Sequence, residues 1–289
     1  MTKNSLTEDY SKNILVIYAD SKKDKLGYGN YLRIISILPN LNFKKFIWIS
    51  DLQSIKLIKY CNVISSYHTY HSSVGKNFLK YSKNILNLVD DGTSNKTEKF
   101  LKSYLDKNLN IKKSGNDLCQ LILKKIYKTK KYKLYHNKKK FIKKFKYDLF
   151  INYIVPNEWK IKRYPIRLFK NLESKLNLEK NIKIGWQNRS DKIEKYVEKI
   201  KNSKIILTII GLGTHIGMLF NKKIIVLAGP TSFEDLKKYN NKIVFYPKYK
   251  CKCQTILLNQ NKSCELHRFQ SCMHDIDHNK LLNKIKIIL

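Results

Sequence analysis

The stretch "TIIGLGTHIGMLFNKKIIVLAGPT", residues 208–231, decides how the chain is read. An apolar run ends in glycines, a helix-forming segment follows, and a second apolar run ends in Gly229-Pro230-Thr231. Glycines at a strand end let a ligand approach the backbone closely. The first amides of the helix that follows point beyond the sheet, where they suit a phosphate or an anionic sugar group. Gly211, Gly213, Thr214 and His215 are therefore candidate ligand-binding residues, and Gly229 and Pro230 repeat the logic at the next strand end. A plain strand-to-helix turn with a core histidine is the competing reading.

Working outward, "DLFINYIVP" (148–156) predicts a strand, "NEWKIKRYP" a loop and "IRLFKNLESKL" a helix. "NIKIGWQ" (181–187) is a strand, "DKIEKYVEKIKNS" (191–203) an amphipathic helix and "KIILTII" a strand. The loop places Lys160, Lys162 and Arg163 just past a strand end, where cations neutralise a diphosphate; a solvated basic loop is the alternative. The first half alternates in the same way. "NILVIYAD" (13–20), "FKKFIWISD" (43–51) and "NILNLVDD" (84–91) are strands, and "YLRIISILPNL" is a helix stopped near Pro39. Residues 95–147 read as largely helical, with the Lys- and Tyr-rich stretch "KKIYKTKKYKLYHNKKKFIKKFKYD". The alternation predicts βαβ units, parallel sheets and an α/β fold class in two halves, 1–147 and 148–289. Ligands of such sheets bind at the carboxyl ends of the strands, here expected in a cleft between the halves.

The hydrophobic share of 43% supports a sizeable core and speaks against wholesale disorder. No apolar run approaches the roughly 20 residues of a transmembrane helix. The polar start "MTKNSLTEDYSKN" is unlike a secretory signal, so a cytoplasmic protein is expected. The formal charge of +36 points either to an anionic partner or to drift in composition. Lys far exceeds Arg, and Ile, Asn and Tyr are abundant, a mixture that AT-rich codons encode. Drift therefore takes the larger share. Nucleic-acid binders add Arg for bidentate contacts, so no nucleic acid is expected, whereas diffuse Lys charge remains compatible with an anionic membrane face.

Several motifs occur in one order: "KRYP" (162–165), "GTHIGMLF" (213–220), "IIVLAGPT" (224–231), then C-x-C and two later cysteines with "CMHDI" (272–276). This order resembles glycosyltransferase family 9, the ADP-heptose:lipopolysaccharide heptosyltransferase group. The resemblance is good over 150–280 and weaker before it, where "LGYGNYLRIISILPNLNFKKFIWISD" and "NILNLVDD" are similar to the family's first loop, helix and strand end. It implies a GT-B fold, two Rossmann-like domains facing across a cleft, with the C-terminal one holding a nucleotide-sugar donor such as ADP-heptose. It also implies inverting transfer without a metal or other cofactor, to a lipid-linked or oligosaccharide acceptor of lipopolysaccharide or surface glycan, in the cytoplasm or peripherally at the inner membrane. Lys162 and the turn amides would stabilise the departing charge, and His215 matches the turn histidine of the family.

The departures are specific. Tyr28 stands where the family has its first-loop acid, Ile210 or Gly211 where it has the turn aspartate, and Tyr164 where it has Trp. A general base is then sought at Asp20 or Asp24 in the first loop, or at Asp90 or Asp91 at the third strand's end. Asp24 lies nearest the expected place and Asp91 has the better strand-end position. A catalytically inactive membrane-associated scaffold is one rival reading.

Cys251, Cys253, Cys264 and Cys272 fall after the last strand. In a reducing compartment they are expected as reduced thiols that pack the end of the fold, with no metal. Four thiolates with His267, His274 and His278 nearby leave zinc as the alternative, and a zinc-stabilised nucleic-acid binder as the second rival. Cys61 and Cys119 lie in apolar surroundings and are expected in the core.

Overall fold

The computed structural model describes residues 13–20, 27–89, 95–104, 115–129, 132–137, 144–230, 236–248 and 272–289. The chain forms two compact units, 1–137 and 138–289.

In the first unit, four strands form a parallel sheet: β1 (Ile14–Tyr18), β2 (Lys45–Ser50), β3 (Ser66–Thr69) and β4 (Ile85–Asn87). Their order is β3-β2-β1-β4. Leu15, Val16 and Ile17 are fully buried, which is why β1 reads as an unbroken apolar run: a central parallel strand is covered on both faces. The coverings include α1 (Tyr28–Ile37), α2 (Leu52–Ile58), α3 (Ser73–Tyr81), α4 (Asn95–Tyr104) and α5 (Gly115–Lys128). Asp51 starts α2 by accepting from the Ser54 amide at 2.9 Å, and Ser72 starts α3 by accepting from the Gly75 amide at 3.0 Å.

The second unit has strands β5 (Tyr147–Asn152), β6 (Ile184–Trp186), β7 (Ser203–Ile209), β8 (Lys223–Leu227) and β9 (Lys242–Phe245). They pair in parallel in the order β6-β5-β7-β8-β9, the flavodoxin-like arrangement of a Rossmann-type unit. Its helices include α6 (Ile166–Lys180), α7 (Ile193–Lys201), α8 (Leu212–Leu219) and α9 (His278–Ile288). One core joins the sheet to α6 and α9 through Leu149, Leu207, Phe169, Leu172, Leu281 and Ile285.

One expectation needs correction. Among the described residues the Lys- and Tyr-rich stretch is helical as far as Lys128, and residues 132–137 have no regular secondary structure. Side chains of asparagine hold this segment against the first unit in place of a helix. Asn40 donates to the Lys133 carbonyl and accepts from its amide, both at 2.7 Å. Asn137 donates to the Tyr60 carbonyl at 2.7 Å, and the Tyr135 amide reaches the Ser36 carbonyl at 2.7 Å. The Lys133 amide and carbonyl and the Tyr135 amide thus find partners far away in the sequence, without a helix.

Candidate functional site

In the second sheet, β6 lies on one side of β5 and β7 on the other, so the loops after β5 and β7 diverge. Ligands of open α/β sheets bind outside the carboxyl ends at such a switch point. A buried polar network fixes this edge. Asn152, the last residue of β5, donates to Thr208 Oγ1 on β7 at 2.7 Å and accepts from the hydroxyl of Tyr196 on α7. Burial pushes the Tyr196 phenol well above its ordinary range, so it stays protonated and donates. The network sets the floor on which α8 begins.

Gly213 is required by that floor. A Cβ there would come within 2.6 Å of the Asn152 side chain and of the Tyr196 hydroxyl. Gly217, one turn later, meets Ile206 and Ile224 in the same way, so α8 rides unusually close to the sheet. Gly211 differs: its backbone is extended, and an added Cβ would meet only the Ile209 carbonyl, at 3.9 Å.

Thr214 is fully buried, and its hydroxyl is used inside the turn, accepting from the Gly211 amide at 3.2 Å and donating to the Ile209 carbonyl at 3.3 Å. The amides of Thr214 and His215 both return to the Gly211 carbonyl. The amides of Leu212 and Gly213 are then the donors left at this helix start, with no acceptor among the described residues. His215 is buried on α8.

After β5 the chain runs through a short 3₁₀ segment, Asn157–Lys162, to α6. Gln187, just past β6, pins the start of this loop by accepting from the Ile154 amide at 2.8 Å. Lys162 Nζ lies 4.1 Å from the centre of the Trp159 ring, and Arg163 donates to Asn157 Oδ1 at 2.7 Å. Tyr164 turns inward. Its hydroxyl lies 3.2 Å from His278 Nδ1, and His278 Nε2 lies 3.0 Å from Asn171 Oδ1. Burial, aided by Asp277, raises the Tyr164 phenol. Burial and Lys175 lower the His278 imidazole against a smaller opposing pull from Asp277.

Between these loops lies a pocket of about 340 Å³. Tyr153, Val155, Tyr164, Pro165 and Ile166 give it an apolar and aromatic wall, Arg163 and Arg189 supply its cationic groups, and His274 also lines it. Among the described residues its lining includes no Asp, Glu, Asn or Gln. Arg189, in the loop after β6, is exposed and has no hydrogen-bond or ion-pair partner among the described residues.

The structure thus sets the candidates Lys162, Arg163, Gly211, Gly213, Thr214 and His215 along one sheet edge, but only Arg163 of them lines the pocket. Gly229 follows β8, where a Cβ would overlap the sulfur of Met273, so this glycine answers to packing; Pro230 beside it is buried. Sequence reasoning missed Arg189 and Tyr153, whose only signal is their place just after strand ends. Asp20 is buried at the carboxyl end of β1. Asp24, Asp90 and Asp91 lie outside the described residues, as do Cys251, Cys253 and Cys264. Cys272 is a buried free thiol, as are Cys61 and Cys119, and no cluster of metal-ligating side chains occurs among the described residues.

No family model matches the chain, and no curated protein does. Solved structures do. A family 9 glycosyl transferase from Veillonella parvula is similar at 10% identity and a TM-score of 0.57, over 97% of this chain and 98% of the other. The fold is that of family 9 glycosyltransferases. The E. coli ADP-heptose lipopolysaccharide heptosyltransferase II is similar at 10% identity and a TM-score of 0.57, over 96% of this chain and 98% of the other. E. coli heptosyltransferase WaaC with ADP follows at 10% identity and a TM-score of 0.52, over 96% of this chain and all (100%) of the other. The GT-B type of fold expected from the motifs is therefore the one the chain adopts, and at such identity the likeness is one of fold.

Proposed function

We propose that the protein is a divergent family 9 glycosyltransferase. It moves a sugar, heptose or a related one, from a nucleoside-diphosphate donor to a lipopolysaccharide or surface-glycan acceptor. The observation that carries this reading is the second unit's carboxyl edge. There a pocket with cationic groups and an apolar wall stands beside a helix start whose first amides point outward, at the switch point of a Rossmann-type sheet. The fold shared with heptosyltransferases supports it.

In the reaction we infer, a carboxylate takes the proton of the acceptor hydroxyl and the oxygen attacks the anomeric carbon. The bond from that carbon to the phosphate oxygen breaks, and the electron pair leaves with the nucleoside diphosphate. Attack from the face opposite the leaving group inverts the anomeric centre. Asp24 and Asp91 are the proposed bases, chosen on sequence position. Lys162, Arg163 and the amides of the α8 turn take up the negative charge that develops on the diphosphate, with His215 in the same turn. No metal is asked for in this scheme. No helix among the described residues is long and apolar enough to cross a membrane. The protein is proposed to work in the cytoplasm, with its lysines against the anionic inner membrane where a lipid-linked acceptor resides.

A thermal-shift screen of nucleotide sugars tests the reading, because a ligand that binds only the folded chain raises its apparent stability. A donor of this class should raise Tm in a concentration-dependent manner. A flat response to every nucleotide sugar, together with salt-sensitive binding of DNA or RNA, would replace it with the nucleic-acid reading.

A further inference from the structure

The segment "CMHDIDH" (272–278) takes no part in the proposed reaction, yet it lies against the pocket. Building on the proposal that this pocket holds the donor, we infer that His278 is a positioning residue for it. Its imidazole accepts a hydrogen bond from the Tyr164 hydroxyl and so fixes the loop 162–165, which carries Lys162 and Arg163.

Three contacts place the segment. Met273 packs on Gly229 past the end of β8, His274 lines the pocket from the 3₁₀ turn Cys272–Asp275, and His278 opens α9 beside Tyr164. Tyr164 is buried; it forms part of the pocket wall and packs on Phe169 of α6, the two ring centres 4.9 Å apart. Its hydroxyl meets His278 Nδ1 at 3.2 Å across 114 positions of sequence. The contact therefore ties the connection after β5 to the last helix. A loop held by such a tie has less freedom to lose when a donor binds, which is how a residue that need not touch the ligand contributes to affinity.

The partners of the ring assign its proton. Asn171 Oδ1 only accepts, so His278 Nε2, 3.0 Å away, donates to it. A neutral imidazole has one ring proton, so Nδ1 is left as an acceptor. Burial keeps the Tyr164 phenol protonated, and it supplies the donor. The chain from Tyr164 through His278 to Asn171 thus runs in one direction. Protonation of the ring would put a second N–H on Nδ1, where it opposes the hydroxyl proton of Tyr164 and breaks that order. Lys175 from α6, Asp277 at the start of α9 and Tyr164 itself face the ring. Burial, then Lys175, outweigh Asp277 and keep it neutral to below the ordinary 6.5.

The test is calorimetric titration of the full chain with ADP-heptose, UDP-glucose and GDP-mannose, whose diphosphates are esterified at both ends and keep their charge from pH 5 to pH 7.5. Wild type, Tyr164→Phe, His278→Ala and the double variant are compared at pH 7.5 with the sugar that binds. Each single variant should weaken binding about three- to tenfold, the scale of one hydrogen bond, and the double variant should be no weaker than the singles. The wild-type advantage over Tyr164→Phe should be full above pH 6.5 and shrink toward pH 5, as the folded ring takes up its proton. His274 is present in both proteins and cancels in that comparison. If His278→Ala does not fold, the comparison across pH decides alone. Wild-type affinity in the folded single variants, additive losses in the double variant, or an advantage independent of pH would each overturn the inference and leave the donor reading intact. Binding of none of the three sugars would remove the donor reading, and the inference with it.

Discussion

Gly213 rests on Asn152, with only 2.6 Å between the Asn152 side chain and the point where a Cβ would sit. The close approach joins the end of β5 to the start of α8 and so ties the two loops of the proposed donor site together. Gly213→Ala sets two effects against each other. Alanine gains up to about 1 kcal/mol of helix propensity over glycine. Overpacking against a buried, hydrogen-bonded network costs about 1–3 kcal/mol. The obstruction is a network fixed by Thr208 and Tyr196, not a flexible side-chain end, so the clash wins. Urea denaturation should show a net loss of about 1–2 kcal/mol, and Gly211→Ala, whose Cβ makes only an ordinary contact with the Ile209 carbonyl, should be close to neutral.

Three histidines set an acid limit. His68, His136 and His278 are each lowered from the ordinary 6.5, His68 and His136 by burial, His278 by burial and Lys175. The unfolded chain therefore binds protons near pH 6.5 that the folded chain refuses, so stability is full above that value and falls as pH drops below it. Chemical denaturation at pH 7 and pH 5 should show the decrease. His278→Gln, which keeps hydrogen bonding near Tyr164 and Asn171 without a titrating ring, should shrink it. An unchanged pH profile in that variant would assign the acid sensitivity to the other two.

Lys222 offers a test of the opposite kind. It is buried at the amino end of β8, with its ammonium 4.6 Å from the Phe145 ring centre. Burial and the nearby Lys201 lower it to about 8. Below that pH the ammonium is held where water is scarce, so Lys222→Met should stabilise the protein at pH 7, by about 1 kcal/mol or more. The advantage should fade as pH rises from about 8 toward 10.5, where the folded chain sheds the proton and the unfolded one keeps it. Thermal melts at pH 7 and pH 9.5 separate the two regimes.

The fold was legible where the signal is hydrophobic periodicity. The apolar runs that become β1, β2, β5, β7 and β8 are central or near-central parallel strands, and their burial on both faces writes them plainly into the sequence. The edge strand β9 and the short helix α3 carry weaker patterns and were not read. The segment 132–137 misled because its structure comes from the distant partners of Asn40 and Asn137, which no local pattern reports. The site was legible at its turns, since Gly211 to His215 do begin a helix at a strand end. Its pocket was not. Tyr153 and Arg163 come from the connection after β5, Arg189 from the loop after β6 and His274 from a 3₁₀ turn before α9, three segments far apart in the sequence.

The carboxyl edge of the second unit is proposed to hold a nucleotide-sugar donor and to stabilise its departing diphosphate. The direct measurement is the rate of nucleoside diphosphate release from a donor found to bind, with acceptor glycan present, in the wild type and in Lys162→Ala. A charge-assisted contact is worth about 1.5–3 kcal/mol, so the variant should release product about 10- to 150-fold more slowly, with Tm unchanged. Release at the wild-type rate from Lys162→Ala, or none from the wild type with any donor, would contradict the account.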